Sequence, residues 1–192
     1  MVPDDTDIMC RVQAGEVALF DLLVERYRSA LYRVAVSKLG NSEWAEDVVQ
    51  EAFLAAYSAR GSYKPEFAFR TWMWTILLNL CRREWQRRER RPKEQSCSTI
   101  GDWSAIGRDE PANRETGLGQ LLTAERNQAV RLLLQRVPEA QADALRLRFL
   151  AGLPFAEIAL TMSSSLSAAK QRVKQGLETL AELLREDRGE FP

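Results

Sequence analysis

Apolar residues recur at helical spacing through most of the chain. Phe20, Leu23, Tyr27, Leu31 and Val34 fall at steps of three or four residues, which predicts an amphipathic helix over 16–39 with Gly40-Asn41 as its stop. Ser42 is a candidate cap for a second helix over 43–58, whose buried stripe is Trp44, Val48, Ala52, Phe53 and Ala56. Asp47, Gln50, Glu51 and Leu54 then share the opposite face. Gly61-Ser62 and Lys64-Pro65 predict a loop, after which 68–90 has the length and composition of a third long helix.

The pattern breaks between Arg91-Pro92 and Gly119, where Ser, Gly, Pro and Asn punctuate a stretch with few periodic apolars. At about thirty residues this is too long for a loop inside a compact domain and reads as a tether. Periodicity returns with Leu121, Leu122, Val130, Leu133 and Leu134, then Val137-Pro138, then three short helical segments running to Leu184. Ala144–Leu150 is apolar at helical spacing. Gly152-Leu153-Pro154 starts a helix that buries Ile158 and Ala159, Ser163-Ser164-Ser165 makes a turn, and a longer helix from Leu166 carries Lys170, Gln171, Arg172, Lys174 and Gln175 near its start. Two helices joined by a tight turn, with basic residues opening the second, follow the logic of a helix-turn-helix. The predicted fold is all-α, in two small helical domains: an N-terminal bundle over 1–92, a flexible linker over 93–122 and a helix-turn-helix domain over 123–187.

Composition narrows the chemistry. The 192 residues hold no histidine, which excludes His-based zinc sites and Ser-His or Cys-His nucleophilic catalysis. With no Walker-type glycine loop and no carboxylate constellation for a metal, an enzyme acting on nucleic acid is a remote alternative, and no cofactor or metal is expected. Cys10, Cys81 and Cys97 are too few and too scattered for a disulfide framework, which favours a reducing compartment, and Cys81 reads as buried packing. The start is acidic where a secretory signal is basic, and no apolar run approaches the ~20 residues that span a bilayer, so a cytoplasmic protein is expected.

The formal net charge is zero, from 27 basic and 27 acidic residues, yet the charge is segregated. Residues 1–60 carry 6 basic and 10 acidic side chains, 61–93 carry 9 and 3, 94–124 carry 2 and 5, and 125–192 carry 10 and 9. Arg82, Arg83, Arg87, Arg88, Arg90, Arg91 and Lys93 crowd into a dozen residues. By itself such a run is equally a solvated helix face. Aromatic residues adjoin it: Tyr57, Tyr63, Phe67, Phe69, Trp72, Trp74 and Trp85 are seven of the sixteen rings, within 29 residues. Cations neutralise phosphates and flat rings stack on unpaired bases, so the combination points to single-strand binding, with roughly half of the rings expected in the core.

The run Ala45-Glu46-Asp47-Val48-Val49-Gln50-Glu51-Ala52-Phe53 resembles the most characteristic motif of bacterial RNA polymerase sigma factors, in particular the extracytoplasmic-function (ECF) group of the sigma-70 family. Phe69-Arg70-Thr71-Trp72-Met73-Trp74-Thr75-Ile76-Leu77-Leu78-Asn79-Leu80, followed by the arginines, is similar to that family's promoter-melting segment. Val137-Pro138 and the run Leu145 to Ala159 look like its region-four pattern. Three motifs in order across a linker are far more specific than any one.

The resemblance implies a sigma factor that binds core RNA polymerase and directs initiation at particular promoters, itself no enzyme and with no small-molecule substrate, since catalysis belongs to the polymerase core. Asp47, Gln50 and Glu51 match the positions that dock on the clamp helices of the largest subunits, and the second domain faces the beta flap. Tyr63, Phe67, Trp74, Asn79, Arg82, Arg83, Arg87 and Arg88 fall in the segment that meets the minus-ten element as a single strand, with Asn79 as reader of a flipped base and the arginines on phosphates; Trp72 is expected in the core. Ser167, Lys170, Gln171, Arg172, Lys174 and Gln175 fall in the helix that reads the minus-thirty-five element. There the chain departs from the family: Ser167-Ala168 replaces a Gly-Thr cap and Gln175 an arginine, leaving Ser165 or Ser167 as the cap. The linker would thread toward the polymerase active site, and an anti-sigma factor, often membrane-bound, is the expected regulator that would hold the protein at the inner membrane face. The alternative reading is a helix-turn-helix regulator that is no polymerase subunit, which leaves the arginine and aromatic cluster without a role.

Overall fold

The computed structural model describes residues 3–89 and 128–189, which form helices joined by turns, with no strand among them. They fall into two units, one within Met1–Ile100 and one within Gly101–Pro192. The expected linker, Leu121, Leu122 and Cys97 lie outside the described residues.

The first unit opens with a helix that the sequence reading did not anticipate, α1 (Asp5–Gln13). Asp4 is extended and its carboxylate accepts the N–H of Thr6, while Asp5 and Asp7 place negative charge in the first turn, where the helix dipole favours it. The acidic start that argues against a secretory signal is thus a helix-start signal. Ile8, Met9 and Val12 are buried.

A short turn at Val17–Leu19 leads into α2 (Phe20–Leu39), and the stripe Phe20, Leu23, Tyr27, Leu31 and Val34 is buried throughout. Gly40 ends it in the left-handed region at φ 75°, where a Cβ would be strained, and its N–H reaches Val36 O at 2.9 Å. In α3 (Ser42–Ser58) the cap is Asn41 rather than Ser42. The Asn41 Oδ1 accepts the Trp44 N–H at 3.0 Å, which makes Ser42 the first helical residue. A turn at Arg60–Ser62 and a loop precede α4 (Phe69–Glu89).

Helices α2, α3 and α4 pack on one another, and α1 lies against α2, α4 and the turn at Arg60–Ser62. Asp5 of α1 accepts the Tyr27 hydroxyl and pairs with Arg26. Burial, reinforced by the Asp5 carboxylate, pushes the Tyr27 phenol above its ordinary range. At the centre of the unit the Phe69 ring meets Tyr27 at 5.6 Å, Trp72 at 6.0 Å and Tyr63 at 6.2 Å, all near edge-to-face. Such pairs add roughly 0.5–1.5 kcal/mol each beyond area burial. Cys81 is fully buried.

In the second unit a helix described over 128–136, here α5, precedes α6 (Glu139–Leu145), a π turn at Arg146–Leu150, α7 (Phe155–Thr161) and α8 (Leu166–Gly189). The long α8 packs on α6 and α7. Gly176 permits the close crossing, since a Cβ there would lie 2.8 Å from Leu145 Cδ1. Arg136 reaches Asp187 at 2.8 Å, tying α5 to the far end of α8. The run Ala144–Leu150 is less simply apolar than its spacing suggests. Arg146 is itself buried and donates to the buried Asp143 at 3.1 Å, placing an ion pair inside the small unit.

Candidate nucleic-acid interface

Two neighbouring stripes of opposite charge dominate the first unit. Asp47, Gln50, Glu51 and Leu54 are exposed on α3 at spacings of three and four, so they form one continuous strip. Leu54, 59% exposed, is an apolar group in that strip which the sequence reading placed on this face without assigning it a role. On α4, Asn79, Arg82, Arg83 and Arg87 are exposed at the same kind of spacing.

The stripes meet where Arg83 donates to the Glu51 carboxylate. With side chains 66% and 52% exposed, this pair contributes at most about 1 kcal/mol, so either member is readily given up to a stronger partner. Arg87 and Arg88 both donate to Glu84, Arg87 at 2.8 Å. Burial pushes the Glu84 carboxyl up, but the two guanidiniums together outweigh it and hold the group below its ordinary value. Arg88 is half-buried with its guanidinium 3.6 Å over the Trp44 ring, which explains why Trp44 sits at the rim of α3's buried stripe. Arg88 is therefore the most enclosed of these arginines, whereas Arg82, Arg83 and Arg87 are exposed.

The aromatic residues divide. Phe67 is 58% exposed in the loop before α4, and Trp85 is exposed on α4. Tyr63 and Trp74, both assigned to DNA by the sequence reading, are core residues with exposures of 5% and 1%. Trp74 shares a helical side with the buried Leu77, Leu78 and Cys81, so the period of α4 turns it inward. Tyr63 packs its ring on Phe69 and Trp72, and its hydroxyl donates to Phe67 O at 2.8 Å. Neither ring is available for stacking on a base. Trp72 is half-buried in the same cluster.

In the second unit Ser165 is the cap of α8, its Oγ accepting the Ala168 N–H at 3.1 Å. Ser167, Lys170, Gln171, Lys174 and Gln175 are exposed along the first turns of α8. Lys174 lies 3.8 Å from Glu178. Arg172 is half-buried, with Nη1 inaccessible to solvent, so it is the least available of the set. Phe149 of the π turn and Leu160 of α7 are each 61% exposed and were not singled out from the sequence. No periodicity distinguishes an exposed apolar side chain from a buried one at the end of a short helix.

Among the described residues there is no cluster of His, Cys, Asp or Glu suited to a metal ion, and no helix is long and apolar enough to cross a membrane. The chemistry offered is docking: carboxylates and an apolar residue on one helix, cations with an exposed amide on the next, and a capped helix presenting polar and basic side chains.

Comparison with known proteins places both units. Residues 23–91 match the family Sigma-70 region 2 and residues 127–180 match Sigma-70, region 4. The chain is 31% identical over 178 residues to the ECF RNA polymerase sigma-E factor of Escherichia coli, covering 92% of each chain. It is 29% identical over 180 residues to the RNA polymerase sigma-H factor of Pseudomonas aeruginosa, covering 94% of this chain and 93% of the relative. In fold it is similar to CnrH, solved in complex with the cytosolic domain of CnrY, with a TM-score of 0.73 at 23% identity over 95% of this chain and 98% of that one. It is also similar to the sigma factor RpoE of Bartonella quintana, solved with the anti-sigma factor NepR, with a TM-score of 0.63 at 22% identity over 86% and 96%.

Proposed function

The chain belongs to the ECF group of the sigma-70 family of bacterial RNA polymerase sigma factors, and from that premise we propose how its residues divide the work of initiation. It is a sigma factor, a transcription initiation factor that binds core RNA polymerase and promoter DNA and performs no catalysis of its own. Asp47, Gln50 and Glu51 dock on the clamp helices of the polymerase, with Leu54 as an apolar contact in the same strip. Asn79, Arg82, Arg83 and Arg87, with Phe67 from the preceding loop, meet the opened minus-ten element. Ser167, Lys170, Gln171, Lys174 and Gln175 meet the minus-thirty-five element in the major groove, with Arg172 in a lesser part, while the rest of the second unit rests on the beta flap.

The observation that carries this reading is the adjacency of the two stripes within the matched region 2: one face supplies acceptors for a protein, the next supplies cations for a strand. Extracting a base costs a few kcal/mol, which stacking on Phe67 and hydrogen bonds from the Asn79 amide would offset. Three exposed arginines make the binding steeply salt-dependent. The protein works in the cytoplasm, the domains divide near 92 and 123, and an anti-sigma factor holds it inactive until a signal arrives; the neighbours solved with such partners support that regulation. A helix-turn-helix regulator independent of polymerase accounts for the second unit alone and leaves the match over 23–91 without meaning.

In vitro transcription with purified core polymerase on genomic fragments tests the whole. Promoter-dependent transcripts are expected, and failure both to bind core and to start transcripts would sink the reading. Asp47→Ala is expected to weaken core binding by about 1–2 kcal/mol while the binding of isolated promoter elements is unchanged. Equal loss of both would contradict the division of roles.

A further inference from the structure

Between Ser58 and α4 the chain must leave the helical bundle, carry Phe67 into solvent and return, and it does so over a loop with little regular structure. Its conformation is held from outside. Gln13, the last residue of α1, is the external anchor: its Nε2 donates both to Arg60 O at 2.7 Å and to Tyr63 O at 3.0 Å. The Arg60 carbonyl also takes the Tyr63 N–H at 3.1 Å, so one side-chain amide fastens both ends of the turn Arg60–Ser62. Tyr63 passes the restraint on, since its hydroxyl donates to the Phe67 carbonyl at 2.8 Å and lies 3.4 Å from Thr6 Oγ1, also on α1. A further turn, Phe67 N–H to Lys64 O at 3.0 Å, closes the loop. Of the two rings in this loop, Tyr63 is turned inward and Phe67 is left outside.

Gln13 is solvent-exposed, so its hydrogen bonds are not needed to bury area and α1 keeps its apolar anchors Ile8, Met9 and Val12 without them. A long, flexible amide held in one geometry loses rotamer freedom, and an exposed one that does so for two carbonyls is shaping a backbone. We propose that Gln13 is a positioning residue for the recognition of unpaired promoter DNA: through the carbonyls of Arg60 and Tyr63, and through the Tyr63 hydroxyl, it fixes the loop from which Phe67 meets the strand. This rests on the assignment of Phe67 and Asn79 to the opened minus-ten element. It gives α1, which the sequence reading passed over and which lies outside the matched region 23–91, a part in promoter opening.

The test uses the full-length protein bound to core polymerase. The probes are single-stranded oligonucleotides covering the opened region of a promoter mapped by transcription, together with versions carrying one abasic nucleotide at each position in turn. Wild type is expected to lose about tenfold in affinity at one or more abasic positions, the scale of a lost base stack. Gln13→Met, of similar length but without donors, is expected to flatten that penalty to about twofold, with core affinity and the thermal unfolding midpoint unchanged. Gln13→Lys, which can still donate to both carbonyls, is expected to retain it. Full retention of the penalty in Gln13→Met, or equal loss in Gln13→Met and Gln13→Lys, overturns the proposal. So does a fall in core affinity or unfolding midpoint that parallels the loss, because it marks a general role in folding. A wild type with no abasic penalty anywhere contradicts the assignment of the loop to DNA, and this inference falls with it.

Discussion

The two units are stabilised differently. The first is filled by rings and long side chains, Phe69, Trp74, Met73 and Tyr27 among them, and is cross-linked by hydrogen bonds spanning 21 to 57 residues of sequence. The second is filled by small aliphatics, Ala142, Ala144, Ala159 and Ala169 beside Leu145, Leu147, Leu153 and Ile158, with an ion pair between Asp143 and Arg146 buried among them. Apolar burial scales with area, so each large ring of the first unit contributes more than each small aliphatic of the second. The unit that carries two oppositely charged stripes on adjacent helices is the one with the larger aromatic core.

The largest effect expected is Phe69→Ala, at the upper end of about 3–5 kcal/mol, because the ring touches three other aromatics as well as leaving a cavity. The unfolding transition of the first unit should fall and that of the second stay. A parallel fall of both would remove the distinction between independently stabilised units. Asp143→Ala should act in the opposite place, costing the second unit about 3 kcal/mol by leaving Arg146 charged and buried. Replacing both members together, Asp143→Leu with Arg146→Met, should recover much of that loss in a denaturant titration; no recovery would mean that the pair supplies more than its own compensation. Ser165→Ala removes the cap of α8 and should cost about 1 kcal/mol, with a matching loss of affinity for duplex minus-thirty-five DNA and none for core polymerase.

The smallest effect is one of pH. Glu84 is held below its ordinary value of 4.5 by Arg87 and Arg88, so the stability it contributes is present above that value and is lost as pH falls through the lower, folded one. Glu84→Gln should flatten this acid limb for the first unit alone, as read by circular dichroism between pH 5 and 3. A limb unchanged by the substitution would assign the acid sensitivity to other carboxylates.

Much of this architecture is legible in the sequence where period and burial agree. The stripe of α2 and the charged strip of α3 can be read residue by residue because each repeats over several turns. What cannot be read so easily depends on local or through-space detail. The nine residues of α1 offer about two and a half turns of pattern, and their acidic cap also serves as evidence about targeting. Tyr63 and Trp74 share the composition of a strand-binding surface, and only the three-dimensional position of their neighbours sends them inward while Phe67 stays out. The period of α4 held enough information to turn Trp74 inward; the loop position of Tyr63 has no period to consult. The Asp143–Arg146 pair hid inside a run of apolar spacing for the converse reason, because charge is read as surface unless its partner is known to be three residues away.

The attachment of α1 also sets an order for building the protein on the ribosome. A nine-residue helix alone in water is well below the ~12–15 residues that make even a good helix marginal, so α1 has no stable form until its partners exist. Asp5 can find Arg26 and Tyr27 early, but Gln13 must wait for Arg60 and Tyr63, the latter 50 residues on. At ~5–20 residues per second that delay is a few seconds of translation. The two bonds from Gln13 are therefore the last of the α1 contacts that can form during synthesis, after those to Arg26 and Tyr27.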